Sequence, residues 1–486
     1  MQIKVTIKNT FSYVSKDLID LPDSLKEKLV KGLSYSHKIN LVNSEEVYLF
    51  TRSPYPKEDE DRYYWFPTGL LPKFYSISKA NNIPIVLNDQ RGPKPPLRPV
   101  EEFFDRVKKV DPTIEKRDYQ EEAIKKGLKY GRGLIDISTG GGKTIVIAGL
   151  TYCINAKTLI LCVGKEHIHQ MQSNLESLLD VDVRIYHKGR GGESGKIVIA
   201  NVQALNSLKK KNENKFRDFM ARFKCIIGDE AHHISAISYK QVFYFAINAY
   251  FKYGFSGTMH REDGTFLEVV GTTGPVIDKR DYTFLQENNY ISPAKFYFID
   301  PMCRILYGKN NYWPYCLSPG IVHNQMRNEW IGKICLIYQK RKKQVLIITP
   351  LRTEHGMILQ EIIPGSRFMY GGSDDYAREQ ALKDFKEKKF NVLIGSKIYD
   401  EVINLPDVRC IIMAGGGKAY NSFFQRVGRG IRKFEGKTHV DIIIPWDSHC
   451  KILLRHSKKM KSYIRTVEAW RSQVKMVGDF RPEYEG

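Results

Sequence analysis

No two cysteines in this chain stand in a C-x-x-C pair. The eight, Cys153, Cys162, Cys225, Cys303, Cys316, Cys335, Cys410 and Cys450, are scattered, most of them in apolar runs. That pattern argues against a zinc site and a disulfide framework, and points to buried free thiols in a reducing compartment. No apolar run is long enough to cross a bilayer. The first residues, MQIKVTIKNT, alternate apolar and polar and lack the apolar core of a signal peptide. A soluble, intracellular (cytoplasmic) protein without a membrane partner is therefore expected. Short-period repeats and low-complexity tracts are missing as well. Acidic residues are in deficit, with 54 Asp and Glu against 76 Lys and Arg and a formal net charge of +22. Such an excess suits a polyanionic partner, nucleic acid first, although a merely solvated basic surface would look the same. With 42% hydrophobic residues over 486 positions, the chain can build several cores, and at roughly 150 residues per domain it holds two to four domains.

What is present is organised around Ser138-Thr139-Gly140-Gly141-Gly142-Lys143-Thr144. An apolar run, Gly133 to Ile137, precedes it and another, Ile145 to Leu150, follows, so the order reads strand, glycine turn, helix. Consecutive glycines let the backbone fold tightly enough to aim several N–H groups at one anion. The helix that starts near Lys143 directs its positive end to the same place. Lys143 adds a point charge for outer phosphates, and the Thr144 hydroxyl can ligate Mg²⁺. Ile137 stands where the strict phosphate-loop pattern has its first glycine, so this is a variant loop.

Residues 1–92 read as a small α+β accessory domain. Ile3, Val5 and Ile7 alternate as in a half-buried strand, Ser24 to Leu33 has helical spacing with Asp23 placed to cap it, and Val47 to Thr51 reads as another strand. The aromatics between Tyr55 and Tyr75 could stack on bases but are better read as a small domain's core. A proline-rich linker fills 93–100. From 101 to 285 and again from 286 to 450, short apolar strands alternate with helical stretches, the signature of two doubly wound parallel sheets. Two such domains in tandem imply a cleft that a ligand closes. Residues 451–486 read as a basic helical tail. An aromatic stretch near 307–315 reads as an exposed excursion, nucleic-acid contact and packed loop being equally open.

A second chemical signal is Asp229-Glu230-Ala231-His232, directly after the apolar strand Cys225 to Gly228. Adjacent carboxylates at a strand end suit metal-assisted phosphoryl transfer, one holding Mg²⁺ through water and the other orienting the attacking water. At this point the chain resembles the superfamily-two helicases and translocases over 115–447. The Ser138 to Thr144 and DEAH segments stand in order with Arg117-Asp118-Tyr119-Gln120, Ser256-Gly257-Thr258 and Gln425-Arg426-Val427-Gly428-Arg429-Gly430-Ile431-Arg432. The spellings Gly257 to Gly264 and Gly415-Gly416-Gly417-Lys418 resemble, more narrowly, the branch with phage UvsW-type recombination helicases and XPB-like DNA translocases.

The resemblance implies two RecA-like domains, ATP and Mg²⁺ as cofactors, and DNA (branched, duplex or single-stranded) as partner, with RNA the lesser alternative. It implies that Arg117 and Gln120 read the adenine, that Ser138 to Thr144 hold the phosphates, and that Asp229 and Glu230 act as above. It carries Gln425, Arg429 and Arg432 over as catalytic, the arginines stabilising a γ-phosphoryl in transit. Their spacing of three would put both arginines on one helix face. His232, Ser256, Thr258, Asp400 and Glu401 would couple hydrolysis to movement. Gly164, Lys165, Asn201, Gln203, Thr349, Ser396 and Lys397 would grip the nucleic acid. The segment Asp400 to Pro406 departs from the family pattern, with Val402 where glycine is usual and Asn404 where aspartate is usual. The function implied is ATP-dependent unwinding or branch migration of DNA in recombination, repair or replication. The rivals are a duplex translocase that separates no strands, an RNA helicase, and a nucleotide-binding module without motor activity. Nothing in the sequence sets an oligomeric state, and a monomer would suffice.

Overall fold

The computed structural model describes residues 2–38, 44–52, 64–187, 191, 194–257, 265–303, 316–350, 353–370, 372–395, 405, 407–417 and 419–477. Contacts divide the chain into two compact units, one of residues 1–137 and 142–279, the other of 138–141 and 280–486.

The first unit opens with β1 (Ile3–Ile7), β2 (Phe11–Val14), β3 (Ser34–Lys38), β4 (Ser44–Tyr48), β5 (Thr51–Arg52), β6 (Tyr64–Pro67) and β7 (Ile85–Asp89). Strands β5-β6-β2-β1-β7 form one sheet, and β3 and β4 a separate hairpin. The apolar face of this sheet buries Ile3, Val5, Phe66 and Phe74, with the Phe66 and Phe74 rings stacked 4.8 Å apart. Those two aromatics serve as core; Tyr55 and Tyr63 lie outside the described residues. The helix Asp23–Gly32 has Pro22, not Asp23, at its N-cap. It begins one residue earlier than the sequence suggests. Asp23 therefore falls in the first turn, where its charge complements the helix dipole, and it pairs with Lys26 at 3.1 Å.

This sheet sits on the amino ends of the next one. That second sheet contains β8 (Arg132–Ile137), β9 (Thr158–Cys162), β10 (Val183–Tyr186), β11 (Ile197–Asn201), β12 (Cys225–Gly228), β13 (Phe251–Ser256) and β14 (Val276–Arg280), in the order β10-β11-β9-β12-β13-β8-β14. Arg132 and Lys252 are register partners at the starts of β8 and β13. Both are buried. Lys252 Nζ donates to Thr10 Oγ1 and to the Phe243 carbonyl, each at 2.9 Å. Arg132 donates to the Asn9 carbonyl. Burial holds the Lys252 ammonium far below its usual range and pushes Arg132 down to about 9. Tyr35 donates to Glu268 at 2.7 Å across the same seam. The layers also approach backbone to backbone, for a Cβ on Gly69 would lie 2.1 Å from the Val270 carbonyl oxygen.

Continuous apolar runs explain why β8, β9, β11, β12 and β13 are central: covered on both faces, parallel strands need no polar alternation. Their pairings are parallel. Every carboxyl end therefore emerges at one edge of the sheet, the edge where doubly wound folds bind ligands.

The second unit repeats the pattern with β15 (Ala294–Ile299), β16 (Gln344–Ile348), β17 (Ser366–Met369), β18 (Val392–Gly395), β19 (Val408–Ile412), β20 (Val440–Pro445) and β21 (Val474–Val477), ordered β17-β18-β16-β19-β20-β15-β21. The stretch read as a helical tail contains the helix Lys451–Thr466 and then β21, which pairs in parallel with β15. Its half-exposed, Lys-containing sequence hides an edge strand. Trp470, fully buried between the two, fixes the return of the chain. All eight cysteines are free and buried. Among the described residues no helix is long and apolar enough to cross a membrane.

In this second unit Arg327, 0% exposed, holds Asp447 through Nε at 2.8 Å and Nη2 at 3.2 Å. Removing one member of such a buried pair strands the other charge, at a cost of about 3–5 kcal/mol. Arg327→Met is expected to destabilise the protein by that amount, measured as a lower denaturant midpoint by far-UV dichroism. A loss under about 1 kcal/mol would mean that water reaches Asp447.

Candidate nucleotide site

Strand β8 ends at Ile137, and the helix Lys143–Ile154 begins five residues after Ser138. Gly140 and Gly142 have φ of +92° and +78°, and Gly142 is the helix N-cap. A side chain at Gly142 would be strained by that φ and would also place its Cβ 2.4 Å from Gln120 Nε2. The buried amide of Gln120, from the helix Asp118–Tyr130, thus lies against the turn. Arg117 is the N-cap of that helix and donates to the Tyr119 hydroxyl at 3.1 Å. Lys143 lies at the first position of its helix, Nζ 3.4 Å from the Ile137 carbonyl, and Thr144 follows, half-buried.

Register sets the second part. Gly228 on β12 pairs with Leu161 on β9 and Gly254 on β13, and Ser256 pairs with Asp136 on β8. Asp229, Ser256 and the glycine turn therefore leave the sheet at neighbouring levels. Asp229 is 3% exposed. Its amide donates to the Leu161 carbonyl at 2.9 Å, and its carbonyl accepts from the buried Tyr239 hydroxyl at 3.1 Å. Its Oδ1 accepts the Glu230 amide at 2.9 Å, and Oδ2 lies 3.1 Å from His167 Nε2. Burial raises the pKa of this carboxyl, but the His167 hydrogen bond and charge, Lys143 and the Glu230 amide outweigh it, so the net shift is downward. Burial likewise opposes a charge on His167, and the Asp229 contact reverses that, raising the imidazole's pKa. The two shifts run in opposite senses and favour the same hydrogen-bonded arrangement, the Asp229 carboxylate against the His167 ring with Lys143 near enough to add its charge.

Glu230 adopts φ +53°, the left-handed region that a non-glycine residue occupies only under constraint. Its Oε2 lies 3.3 Å from His232 Nδ1, which lies 3.4 Å from the Ser256 hydroxyl. Asp229, Glu230, His232 and Ser256, four residues singled out in the sequence, thus form one connected set. His167 and Tyr239 were not singled out. His167 stands two positions after Lys165, and only the fold brings it to Asp229.

Gly164, φ +87°, is the N-cap of the helix Lys165–Leu179, and Lys165 is exposed. Asn201 caps the helix Val202–Lys211 by accepting the Gln203 amide at 2.7 Å, so its carbonyl is already engaged. Gln203 itself is exposed. In the second unit Thr349 is 1% exposed and its hydroxyl donates to the Gly395 carbonyl at 3.2 Å. That corrects the reading of Thr349 as a surface grip: its hydroxyl ties the ends of β16 and β18 together. Gln425 and Arg429 lie on the helix Tyr420–Gly430, Arg429 buried. Arg432 does not share that helix face. The helix ends at Gly430, the Ile431 carbonyl is taken by the Ser292 amide at 2.7 Å, and Arg432 forms a bridge with Ile291. Thr258, Ser396, Lys397, Asp400 and Glu401 lie outside the described residues.

A glycine turn after β8 and a carboxylate pair after β12, both at the carboxyl ends of a parallel sheet, are the arrangement of a nucleotide-binding α/β protein. Residues 113–261 match the family model for the res subunit of type III restriction enzymes, and 327–433 match the helicase conserved C-terminal domain. The chain is 25% identical over 363 residues to the DNA 3'-5' translocase XPB2 of Sulfurisphaera tokodaii, covering 66% of this chain and 79% of that protein. It is 22% identical over 361 residues to the ATP-dependent DNA helicase uvsW of Enterobacteria phage T4, covering 69% of this chain and 68% of that one. In fold it is similar to the helicase MrfA solved with DNA, with a TM-score of 0.56 and 14% identity over 77% of this chain and 52% of that chain. The chain belongs to the superfamily-two helicases.

Proposed function

We propose that this protein is an ATP-dependent DNA helicase or translocase that works on branched or duplex DNA. The observation that supports it most is the contact of buried Asp229 with His167 near Lys143, joined through Glu230 and His232 to Ser256. An ordinary acidic loop needs neither a buried carboxylate nor a strained neighbour.

The residues fit a magnesium nucleotide: a turn whose Gly142 position a Cβ would fill, an adjacent lysine, and a carboxylate kept ionised although buried. Mg²⁺ bound with ATP would withdraw charge from the phosphate oxygens. On the protein side, Gly140 to Thr144 orient the phosphates and Lys143 neutralises them. Asp229 would hold such a metal through water, and Thr144 would contribute its hydroxyl. Glu230 orients the attacking water and takes its proton. Gln120 and Arg117 hold the base. Gln425, Arg429 and Arg432 answer the charge of the departing phosphoryl group. The chain Glu230–His232–Ser256 carries the state of the site towards β13 and, through Thr258, Asp400 and Glu401, to movement along DNA. Gly164, Lys165, Asn201, Gln203, Ser396 and Lys397 are assigned to gripping the nucleic-acid strand.

Steady-state ATPase activity with single-stranded DNA, duplex DNA, a four-way junction and RNA tests this reading. Junction or duplex DNA is expected to stimulate at least about tenfold. Stimulation by RNA alone would make the protein an RNA helicase, and a silent response to every polymer would sink the motor reading. Branch migration has its own test: a purified protein that hydrolyses ATP yet never moves a four-way junction is not a branch-migration enzyme.

A further inference from the structure

We propose that the helix Lys451–Thr466 is a DNA-backbone contact separate from the strand-gripping residues of the two sheets; this rests on the DNA-motor reading. Its buried face is Leu453, His456, Ser457, Met460, Tyr463 and Ile464. The opposite face exposes Lys451, Arg455, Lys458, Ser462 and Arg465, at alternating intervals of four and three that keep them in one stripe. At 1.5 Å per residue the stripe is about 21 Å long, with neighbouring cations about 5–6 Å apart along its first half. From Lys451 to Val477 there are eight lysines and arginines and a single acid, Glu468.

A solvated helix in this same molecule looks different. Helix Asp118–Tyr130 pairs Lys125 with Glu121 at 2.6 Å and Lys126 with Glu122 at 2.7 Å. Arg217 pairs with Glu213 at 2.5 Å, and Lys31 with Glu27 at 2.6 Å. All are one-turn pairs that stabilise a helix. The helix Lys451–Thr466 contains no acid, and among the described residues no carboxylate pairs with Lys451, Arg455, Lys458 or Arg465. Like charges one turn apart oppose each other, and Lys451 at the first position opposes the helix dipole. The stripe thus stands at a local loss that a row of phosphates would reverse. Arg471 extends it, exposed, with Nε donating to the Arg465 carbonyl at 2.9 Å. Lys459 and Lys461 flank it, each 5.6 Å from a ring centre, that of Tyr463 and of Trp446.

The test uses the full chain and a fluorescent duplex of about 40 base pairs, with anisotropy read from about 50 to 200 mM NaCl. The quadruple variant Lys451→Gln, Arg455→Gln, Lys458→Gln, Arg465→Gln is compared with the wild type. A control carries Lys26→Gln, Lys31→Gln, Lys125→Gln and Arg217→Gln, which removes equal charge from paired positions. Losing up to four phosphate contacts should flatten the log–log salt slope by about 2–4 and weaken binding roughly 30- to 1,000-fold at low salt. The control should bind within about threefold of wild type, and ATPase without DNA should be unchanged in both. An unchanged slope in the quadruple variant, an equal loss in the control, or a loss only of binding to anionic lipid vesicles would overturn the assignment. DNA stimulation of the wild-type ATPase separates the two ideas: with stimulation present, an unchanged slope removes the helix alone; without stimulation, the motor reading falls as well.

Discussion

Lys143→Ala is expected to lower ATP turnover by at least about a thousandfold at saturating ATP and DNA. Removing one preorganised charge-stabilising donor typically costs 10²–10³ in rate, and a full cation aimed at the transferring group is worth no less. Three features make the effect large here. Lys143 opens its helix, so the backbone fixes where the side chain starts. Its Nζ rests against a carbonyl, not a carboxylate, so the charge is not already spent within the strand-and-turn segment. Its charge also helps to hold the pKa of buried Asp229 down, so the variant loses phosphate neutralisation and weakens the proposed metal ligand together. A coupled phosphate-release assay reads the loss, and unchanged far-UV dichroism shows that the fold persists. Turnover above about a tenth of wild type would remove Lys143 from the phosphate role.

Glu230→Gln should separate binding from chemistry. The amide keeps the shape and the strained backbone position but cannot accept a proton, and losing a positioned base costs 10²–10⁴ in rate. ATP affinity, measured with a fluorescent analogue, should stay within about threefold, while turnover falls by that factor. A variant that turned over normally would show that Glu230 orients nothing essential. One that lost ATP affinity instead would show that Glu230, and not Asp229 alone, is part of the binding surface. The contact at 3.3 Å from Glu230 to His232 adds a further readout: if this link carries coupling, the residual hydrolysis of the variant should respond less to DNA than that of the wild type.

The chemistry was legible in the sequence wherever a motif is contiguous. A glycine turn after an apolar strand, and two acids after another, show as letters because strand, turn and side chain follow one another along the chain. The central strands were legible for the same reason, as runs such as Thr158 to Cys162 with no polar alternation. What stayed hidden depends on tertiary contact. His167 reaches Asp229 because β9 and β12 are neighbours, and nothing around His167 marks it. The burial of Thr349 and the position of Arg432 follow from hydrogen bonds to distant backbone, Gly395 in one case and Ser292 in the other. Edge strands were lost because one half-exposed ladder leaves no periodicity to read; among the described residues β21 pairs with β15 alone, and it carries Lys475.

The seam between the first small sheet and the amino ends of β8 and β13 bears on how the gene could be cut. Thr10 and Asn9 supply a hydroxyl and a carbonyl oxygen to Lys252 and Arg132, two cations side by side in a dry place. A fragment starting after the proline-rich stretch would keep both cations and lose those acceptors, so water would have to enter the floor of the nucleotide-binding sheet. The amino-terminal ninety or so residues look dispensable on paper. In the folded protein they act as a seal, and a shortened version would be a leaking unit, not a minimal one.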